Sequence, residues 1–329
     1  MKRQMSVVDS PSAPPAPPAP APAATHAGRK RRRTTGGRVP YVLVLPSLLL
    51  LAALLGYPLV RMGVLSFQQL GLRQLFANLP PENVGLDNYT RVLTDPVFYQ
   101  VLGRTVAFTV VSVLLTVVLG LGVALLMRRV WAPVRIIMIV AMMFVWAIPQ
   151  LVATQTFRWL VDSDFGVLNW LIDRIPGVDF ANHSWFADPI QGWSVITTIV
   201  VWAGIPFIAI TLNAGLTQVP KELLEAAVID GASAWQALRR VTLPILKPLL
   251  VIVTTLSVIW NFGLFTQVWA VRNGRPEAQY QVLATWSYSL AFKNNNYGLG
   301  SAIAIISVLL MLGVMVFYMR QMFKIGDVD

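Results

Sequence analysis

The chain contains no cysteine and only two histidines, His26 and His183, among 329 residues. Without cysteine it forms neither disulfides nor thiolate metal or redox sites, and two histidines so far apart in sequence do not make a metal cluster. Charged residues are 12% of the chain, about half of the ~25% typical of a soluble domain. These shortages argue against a disulfide scaffold, a metal centre and a soluble domain.

The sequence contains long apolar runs, and 56% of its residues are hydrophobic. A membrane-spanning helix needs about 20 consecutive, mostly apolar residues. Several segments meet this requirement, and we predict an all-α membrane protein with six transmembrane helices. The segments lie at about 41–66, 101–127, 134–158, 193–216, 246–270 and 301–319.

The first 38 residues differ in composition from everything that follows. They are rich in proline and alanine, which cannot bury a core, and a basic run, RKRRR, lies at 29–33. We predict a disordered cytoplasmic tail over 1–38 and one transmembrane domain over 39–329. The basic run is interpreted as an anchor on the cytoplasmic side, with a nuclear signal or an anionic-lipid clamp as alternatives, and no nucleic-acid partner is expected.

The charges between the segments set the orientation. Positively charged residues cluster in the second and fourth connections and after the last span, at Arg128, Arg129, Arg135, Lys221, Arg239, Arg240, Lys247, Arg320 and Lys324. The third connection is acidic instead, with Asp162, Asp164, Asp173, Asp179 and Asp188. Because positive loops stay in the cytoplasm, we predict that both termini and the loop between spans four and five are cytoplasmic.

The middles of the six segments contain no ionisable side chain. Arg61, Arg104 and Arg158 lie near the outer ends, where long side chains reach the interface. A proton- or sodium-coupled carrier normally needs a buried carboxylate or a sodium-binding break, and the carboxylate is lacking. ATP hydrolysis on this chain would need a phosphate-binding loop, G-x-x-x-x-G-K-[ST], which is absent. We therefore expect a non-enzymatic protein that takes its energy from a partner.

The loop at 217–245 is polar, yet tightly specified. Pro220 and Gly231 suit the start and the left-handed end of one helix, and Ser233 with Gln236 forms a capping box for a second short helix. Pro244 and Pro248 then bracket the entry into span five. Small residues beside Gly231 allow another surface to approach closely, so this pattern indicates a docking element for a protein partner.

One motif in this loop resembles a known family. The motif is E-A-A, then glycine, then hydrophobic-x-Leu-Pro, and it comprises Glu225, Ala226, Ala227, Gly231, Val241, Leu243 and Pro244. It resembles the EAA loop of permease subunits of bacterial binding-protein-dependent ABC importers, with valine where isoleucine is usual. Segments such as VLPSLLLLAALLGYPLV and WNFGLFTQVWAVRNGRP extend the resemblance to the maltose/glycerol-phosphate branch over about 40–325. In the outer loop, Asn273-Gly274-Arg275-Pro276 replaces the usual Gly-Gly-Gly-Pro type turn.

The resemblance implies a multi-pass permease in the bacterial cytoplasmic membrane that imports a sugar, most simply a di- or oligosaccharide. It implies a second permease subunit in a heterodimer, two copies of a cytoplasmic ATPase that bind ATP and Mg, and an extracytoplasmic sugar-binding protein. No cofactor or metal is expected on this chain. The residues implied to couple this chain to the ATPase are Glu225, Ala226, Ala227, Asp230, Gly231, Leu243 and Pro244.

Sugars are bound by aromatic faces together with amide and hydroxyl groups, and span five supplies these types. The predicted substrate-pathway residues are Asn213, Ser257, Trp260, Asn261, Phe265 and Gln267. Asn261 and Phe265 are four residues apart and would share one helix face. Alternatively, Asn261 makes a bond between helices, and Trp269 belongs to an interfacial aromatic belt.

Other functions remain open at this point. The same machinery could import glycerol-3-phosphate or a polyol, although a phosphate would favour a cationic side chain in the cavity. A proton-coupled secondary carrier is disfavoured by the missing carboxylate. A membrane-bound enzyme such as a glycosyltransferase is disfavoured because no acid/base constellation is evident.

Overall fold

In a computed structural model of the protein, residues 39–326 are described, with side-chain surroundings for residues 41–320. The predicted tail at 1–38, its basic run and Lys324 lie outside the described side chains. By its internal contacts the chain divides between Leu54 and Leu55. All of the packing described below concerns the part from Leu55 onwards.

The fold is almost entirely helical. Its α-helices are α1 Val39–Leu51, α2 Tyr57–Ser66, α3 Leu72–Phe76, α4 Asp87–Thr94, α5 Pro96–Arg129, α6 Ala132–Ala147, α7 Gln150–Leu160, α8 Val167–Asp173, α9 Pro189–Leu216, α10 Lys221–Ile229, α11 Ala234–Ala237, α12 Leu243–Phe262, α13 Thr266–Val271, α14 Leu283–Tyr288 and α15 Tyr297–Gly326. Wider π-helical turns lie at Ala52–Gly56, Leu238–Thr242 and Ser289–Lys293, and a 3₁₀ turn at Ala278–Tyr280. Two short antiparallel strands, β1 Gln68–Gln69 and β2 Glu82–Asn83, complete the elements.

Within residues 39–326, five helices are long and apolar enough to cross a membrane. They are Tyr41–Ser66, Pro96–Arg129, Pro189–Leu216, Ala234–Val271 and Tyr297–Arg320. The pair α6 and α7 makes a sixth crossing if the two helices, bent by 97° from each other, count as one. A helical fold with several apolar spans is therefore confirmed, with five continuous spans or six when the bent pair is included.

The third predicted segment, 134–158, is not one straight helix. The chain breaks at Ile148, whose backbone is extended, and α7 restarts after Pro149. Proline lacks an N–H and disfavours a helical conformation in the residue before it, which explains the break.

The second helix of the 217–245 loop is likewise not a separate short element. From Ala234 the backbone is helical through α11, the π-helical turn at Leu238–Thr242 and α12. Pro244 lies in the first turn of α12 and Pro248 lies inside this helix, so neither ends it. A wider turn tolerates the missing proline N–H, and the loop therefore runs directly into the fifth span.

Two glycines let α5 and α9 pack closely. A Cβ added to Gly120 would lie 2.6 Å from Cγ2 of Ile208, and one added to Gly204 would lie 2.8 Å from Cγ2 of Thr116. Small residues at such contacts are how membrane helices approach each other without a hydrophobic driving force. These two helices form the centre of the bundle.

The loop from Arg272 to Gln281, called the cap here, closes the end of the bundle opposite the 217–245 loop. Arg104 of α5 donates hydrogen bonds to the backbone oxygens of Ala278 (2.7 Å) and Gln281 (2.8 Å). The guanidinium of Arg104 therefore holds the cap, a contact that the sequence did not indicate. The neighbouring Tyr280 is fully buried.

Candidate functional site

A cavity of about 490 Å³ lies where two spans are interrupted. One wall is the break between α6 and α7, with Trp146, Ile148 and Gln150, and another is the break between α12 and α13, with Gly263 to Gln267. The middle of α9, from Val200 to Phe207, forms the third wall. Broken helices beside a cavity expose backbone and polar side chains at membrane depth, as is usual for binding sites in transport proteins.

Five aromatic rings and three side-chain amides line the cavity. Trp260 contacts Phe207 edge-to-face with ring centroids 5.0 Å apart. Gln267 of α13 donates from its side-chain nitrogen to the side-chain oxygen of Gln150 in α7 at 3.0 Å, which joins the two broken spans. The remaining lining side chains are apolar or neutral, and none of the lining residues is Asp, Glu, Lys, Arg or His.

Asn261 is, with Gln267, one of two buried polar side chains that line this cavity. It is 8% exposed, and its amide nitrogen donates to the backbone oxygen of Ser257 at 2.7 Å. Its side-chain oxygen has no hydrogen-bond partner among the described residues. A buried acceptor left unpaired is unfavourable by about 1–3 kcal/mol, so this oxygen is available to a donor that enters with a rearrangement of the wall.

The structure brings four of the predicted substrate-pathway residues to the cavity, namely Trp260, Asn261, Phe265 and Gln267. Asn213 and Ser257 do not line it. The helical argument that joined Asn261 to Phe265 is wrong, because α12 ends at Phe262 and Phe265 precedes the first turn of α13. The two side chains reach the same cavity across a break in the helix.

Sequence reasoning missed the opposite walls of the cavity. Gln150, Trp146, Trp202 and Phe207 all line it. A signal was present in the run Ile148-Pro149-Gln150, because a proline in the middle of an apolar span marks a break and a polar residue follows it directly. Nothing in the sequence indicated that Trp202 and Phe207 of α9 would face this cavity.

A charged pair fixes the cap above the cavity. Arg272 donates from Nε to Glu277 at 2.8 Å and forms a second contact through its terminal nitrogen. The hydrogen bond to Glu277 raises the pKa of Arg272, and the same bond holds the pKa of Glu277 below its ordinary value. The guanidinium also lies over the rings of Phe186 and Tyr280, 4.9 and 5.0 Å from their centroids.

At the other end of the bundle, α10 ends in a compact turn. Gly231 has a φ of +78°. The N–H of Gly231 donates to the oxygen of Val228 and that of Ala232 to the oxygen of Ala227, which is the Schellman pattern. Ser233 and Gln236 form the predicted capping box, whereas Pro220 precedes the first helical turn rather than belonging to it.

The predicted coupling residues lie on an exposed surface. Glu225, Ala226, Asp230, Gly231 and Pro244 are exposed, and Ala227 and Leu243 are half-buried. Large apolar side chains beside them are also exposed, Ile229 by 84%, Val228 by 67% and Trp235 by 65%. We call this surface the hairpin face. Glu225 makes no side-chain hydrogen bond within the part of the chain that the structure describes.

The fold, the broken spans and the uncharged cavity define a membrane protein of the permease type. A family model described as binding-protein-dependent transport system inner membrane component matches residues 116–324. The chain belongs to this family of binding-protein-dependent transport components.

Two relatives and one solved structure are similar to this chain. It is 39% identical over 289 residues to the diacetylchitobiose uptake system permease protein DasB of Streptomyces coelicolor, covering 88% of each chain. It is 35% identical over 241 residues to the trehalose/maltose transport system permease protein MalF of Thermococcus litoralis, covering 72% of this chain and 79% of that one. A bacterial ABC transporter involved in alginate import has the same fold, with a TM-score of 0.71 at 18% identity, covering 87% of this chain and 95% of that chain.

Proposed function

We propose that this chain is the membrane-spanning permease subunit of an ABC importer that takes up a neutral di- or oligosaccharide across the bacterial cytoplasmic membrane. The observation that carries the proposal is the cavity, which combines aromatic faces with side-chain amides and has no charged lining residue. The uptake systems named for diacetylchitobiose and for trehalose/maltose among its relatives support the sugar.

The other components are part of the proposal. A second permease subunit completes the pathway, two copies of a cytoplasmic ATPase bind ATP and Mg, and an extracytoplasmic sugar-binding protein delivers the solute. We propose six crossings, with α6 and α7 as one bent span, and both termini in the cytoplasm. In this orientation the hairpin face is cytoplasmic and the cap is on the outside.

The hairpin face is the proposed docking surface for the ATPase. Its exposed apolar side chains, Ile229 and Trp235 among them, are the kind of surface that a protein partner covers. From Ala234 the helical backbone continues through α12 to Asn261 at the cavity. At 1.5 Å per residue, this run carries a movement of the hairpin over roughly 40 Å to the cavity wall.

Alternation between inward-open and outward-open states follows from this connection. When ATP brings the two ATPases together, the docked hairpins move with them. The shift is transmitted by α12 and changes the width of the break at Gly263, where Asn261 and Phe265 face the cavity. The sugar then leaves water and makes contacts with the rings and amides of the cavity.

The alternatives differ in what the cavity must contain. Glycerol-3-phosphate would need a cation, and a proton-coupled carrier a carboxylate, and neither type of side chain is among the lining residues. A polyol would fit the same lining, and inhibition of labelled sugar uptake by an added polyol would reveal it.

The test is uptake by the assembled complex. Membranes that contain the chain are extracted in mild detergent, the co-purifying proteins are identified, and the complex is placed in vesicles loaded with ATP. Uptake of labelled diacetylchitobiose is then measured with and without a proton uncoupler. We expect uptake that needs ATP and survives the uncoupler. Uptake that needs a proton gradient, with recovery of the chain alone, would contradict the proposal.

Matched variants locate the site within the same assay. Asn261→Leu and Phe265→Leu change residues that line the cavity, whereas Asn213→Leu changes an asparagine that does not. We expect the first two to reduce uptake and the third to leave it near the wild-type rate. Unchanged uptake in both cavity variants would remove the cavity as the sugar site.

A further inference from the structure

A continuous row of aromatic rings extends from the cavity towards the cap end of the bundle. Its members, called the aromatic ladder here, are Phe265, Trp269, Tyr288, Phe292 and Tyr297. Successive ring centroids are 5.1, 4.8, 4.8 and 5.7 Å apart. These spacings are those of direct ring contact, so no gap separates the cavity from the end of the row.

The ladder is exposed along part of its length in the described chain. Phe265 lines the cavity, and further along the row Tyr288 is 38% exposed and Phe292 is 58% exposed. Rings that only filled a core would be buried. Rings of an interfacial belt would face lipid, without a connection to a polar cavity.

Trp269, the second ring of the ladder, is covered by two side chains. The ring of Phe265 is stacked on it with an interplanar angle of 20°, and Nζ of Lys293 lies 4.6 Å from its centroid. The backbone of Gly274 borders the indole, because a Cβ added there would lie 3.3 Å from Nε1. An exposed lysine on a long flexible stem moves away easily, and its removal would uncover the face of Trp269.

We propose that the aromatic ladder is a second sugar-binding subsite, between the cap end of the bundle and the cavity. Tyr288 and Phe292 contact the apolar C–H face of the sugar first, and the sugar then replaces Lys293 over Trp269 and passes to Phe265. The Tyr288 hydroxyl makes no hydrogen bond among the described residues and is free for a sugar hydroxyl. This inference rests on the proposed function, because it concerns the same neutral sugar.

The experiment uses the whole complex in vesicles loaded with ATP, supplied outside with binding protein and labelled diacetylchitobiose. The test variant is the double change Tyr288→Leu and Phe292→Leu. The matched control, Tyr288→Phe and Phe292→Tyr, keeps both rings. A position control, Phe317→Leu, removes another 58% exposed ring in α15 outside the ladder. The quantity measured is the number of sugar molecules imported per ATP hydrolysed.

We expect this ratio to fall by about three- to tenfold in the leucine pair, which corresponds to about 0.7–1.4 kcal/mol. Phe317→Leu should keep the wild-type ratio, and the pair that keeps both rings should lower it less than the leucine pair does. An unchanged ratio in the leucine pair overturns the subsite, and so does a fall in recovered complex at constant ratio, which would assign the rings to packing against another subunit. A wild-type complex that imports no sugar instead overturns the proposed function itself.

A second measurement uses the absence of cysteine from the chain. The variant Lys293→Cys gives the chain a single thiol at position 293, whose native side chain reaches over Trp269, and Lys221→Cys gives it one at the start of α10. We expect sugar-loaded binding protein, but not the unliganded protein, to slow maleimide labelling at position 293 severalfold during turnover and to leave position 221 unaffected. Equal labelling with loaded and unliganded binding protein would contradict passage of sugar over Trp269.

Discussion

Both ends of the bundle carry large apolar side chains, but one end buries them and the other exposes them. In the cap, Tyr280 is fully buried and its hydroxyl donates towards the backbone oxygens of Phe186 and Asp188, at 3.0 and 3.2 Å. On the hairpin face, Ile229 and Trp235 are exposed by 84% and 65%. The chain's own contacts therefore bury the cap, whereas no described residue covers the hairpin face.

This difference predicts how each end responds to mutation. Where the chain buries its own side chains, a substitution acts first on stability. Where an apolar surface is exposed, a substitution changes few internal contacts and acts on binding of a partner. The predictions below test this division, in order of decreasing effect.

Tyr280→Ala should have the largest effect, because it empties the centre of the cap. Loss of a fully buried aromatic ring lowers the free energy of unfolding by about 3–5 kcal/mol. Thermal unfolding of the purified chain in detergent measures this change. As a control, Tyr280→Phe keeps the ring and loses only the hydroxyl contacts, for about 1 kcal/mol. An unchanged midpoint in Tyr280→Ala would show that the cap does not stabilise the bundle.

Gly231→Asp should abolish ATP-dependent uptake while the chain stays folded. Aspartate tolerates the left-handed backbone at φ +78° better than most residues, and a Cβ there meets nothing within 4 Å. The added carboxylate would instead meet the proposed ATPase. Uptake and thermal unfolding are measured on the same preparation.

Gly177→Asp is the matched control for this change. Gly177 also has a positive φ, +84°, with open space around it, but lies in the loop between α8 and α9. We expect it to leave uptake close to the wild-type rate. Equal loss of uptake in both variants would indicate backbone strain rather than a specific role of the hairpin face.

Gln150→Leu should reduce both stability and uptake moderately, because it leaves the amide of Gln267 without its partner at 3.0 Å. An unpaired buried amide is unfavourable by about 1–3 kcal/mol. The double variant with Gln267→Leu removes both amides and should recover much of the stability. If the amides also bind sugar, the double variant stays poor in uptake, and full recovery of uptake would assign the pair a purely structural role.

Glu277→Gln should have the smallest effect, and only above mildly acidic pH. Arg272 lowers the pKa of Glu277 below its ordinary value of 4.5. The stabilisation is therefore complete above about pH 4.5 and is lost as the pH falls through the lowered pKa of the folded protein. We expect the unfolding midpoints of the wild type and the variant to differ slightly at pH 7 and to converge in acid. A difference independent of pH would exclude this ion pair as its cause.

Local features were largely predictable from the sequence. The approximate positions of the apolar spans, the left-handed Gly231 and the capping box of Ser233 and Gln236 follow from composition and short-range rules. Several wrong predictions concerned where a helix is continuous and where it breaks. A proline broke the segment at Ile148, whereas Pro244 and Pro248 did not interrupt the helix that enters span five.

The sequence by itself determined that this is a membrane protein and which segments are apolar enough to span the membrane, because both depend on hydropathy. It also determined the turn and the capping box of the exposed loop, because these depend on residues a few positions apart. Tertiary structure decided that Gln150 meets Gln267, that Arg104 holds the cap and that Asn261 and Phe265 share a cavity. Such contacts join residues that are distant in sequence or separated by a helix break, so they depend on how close-packed helices are rotated and where they end.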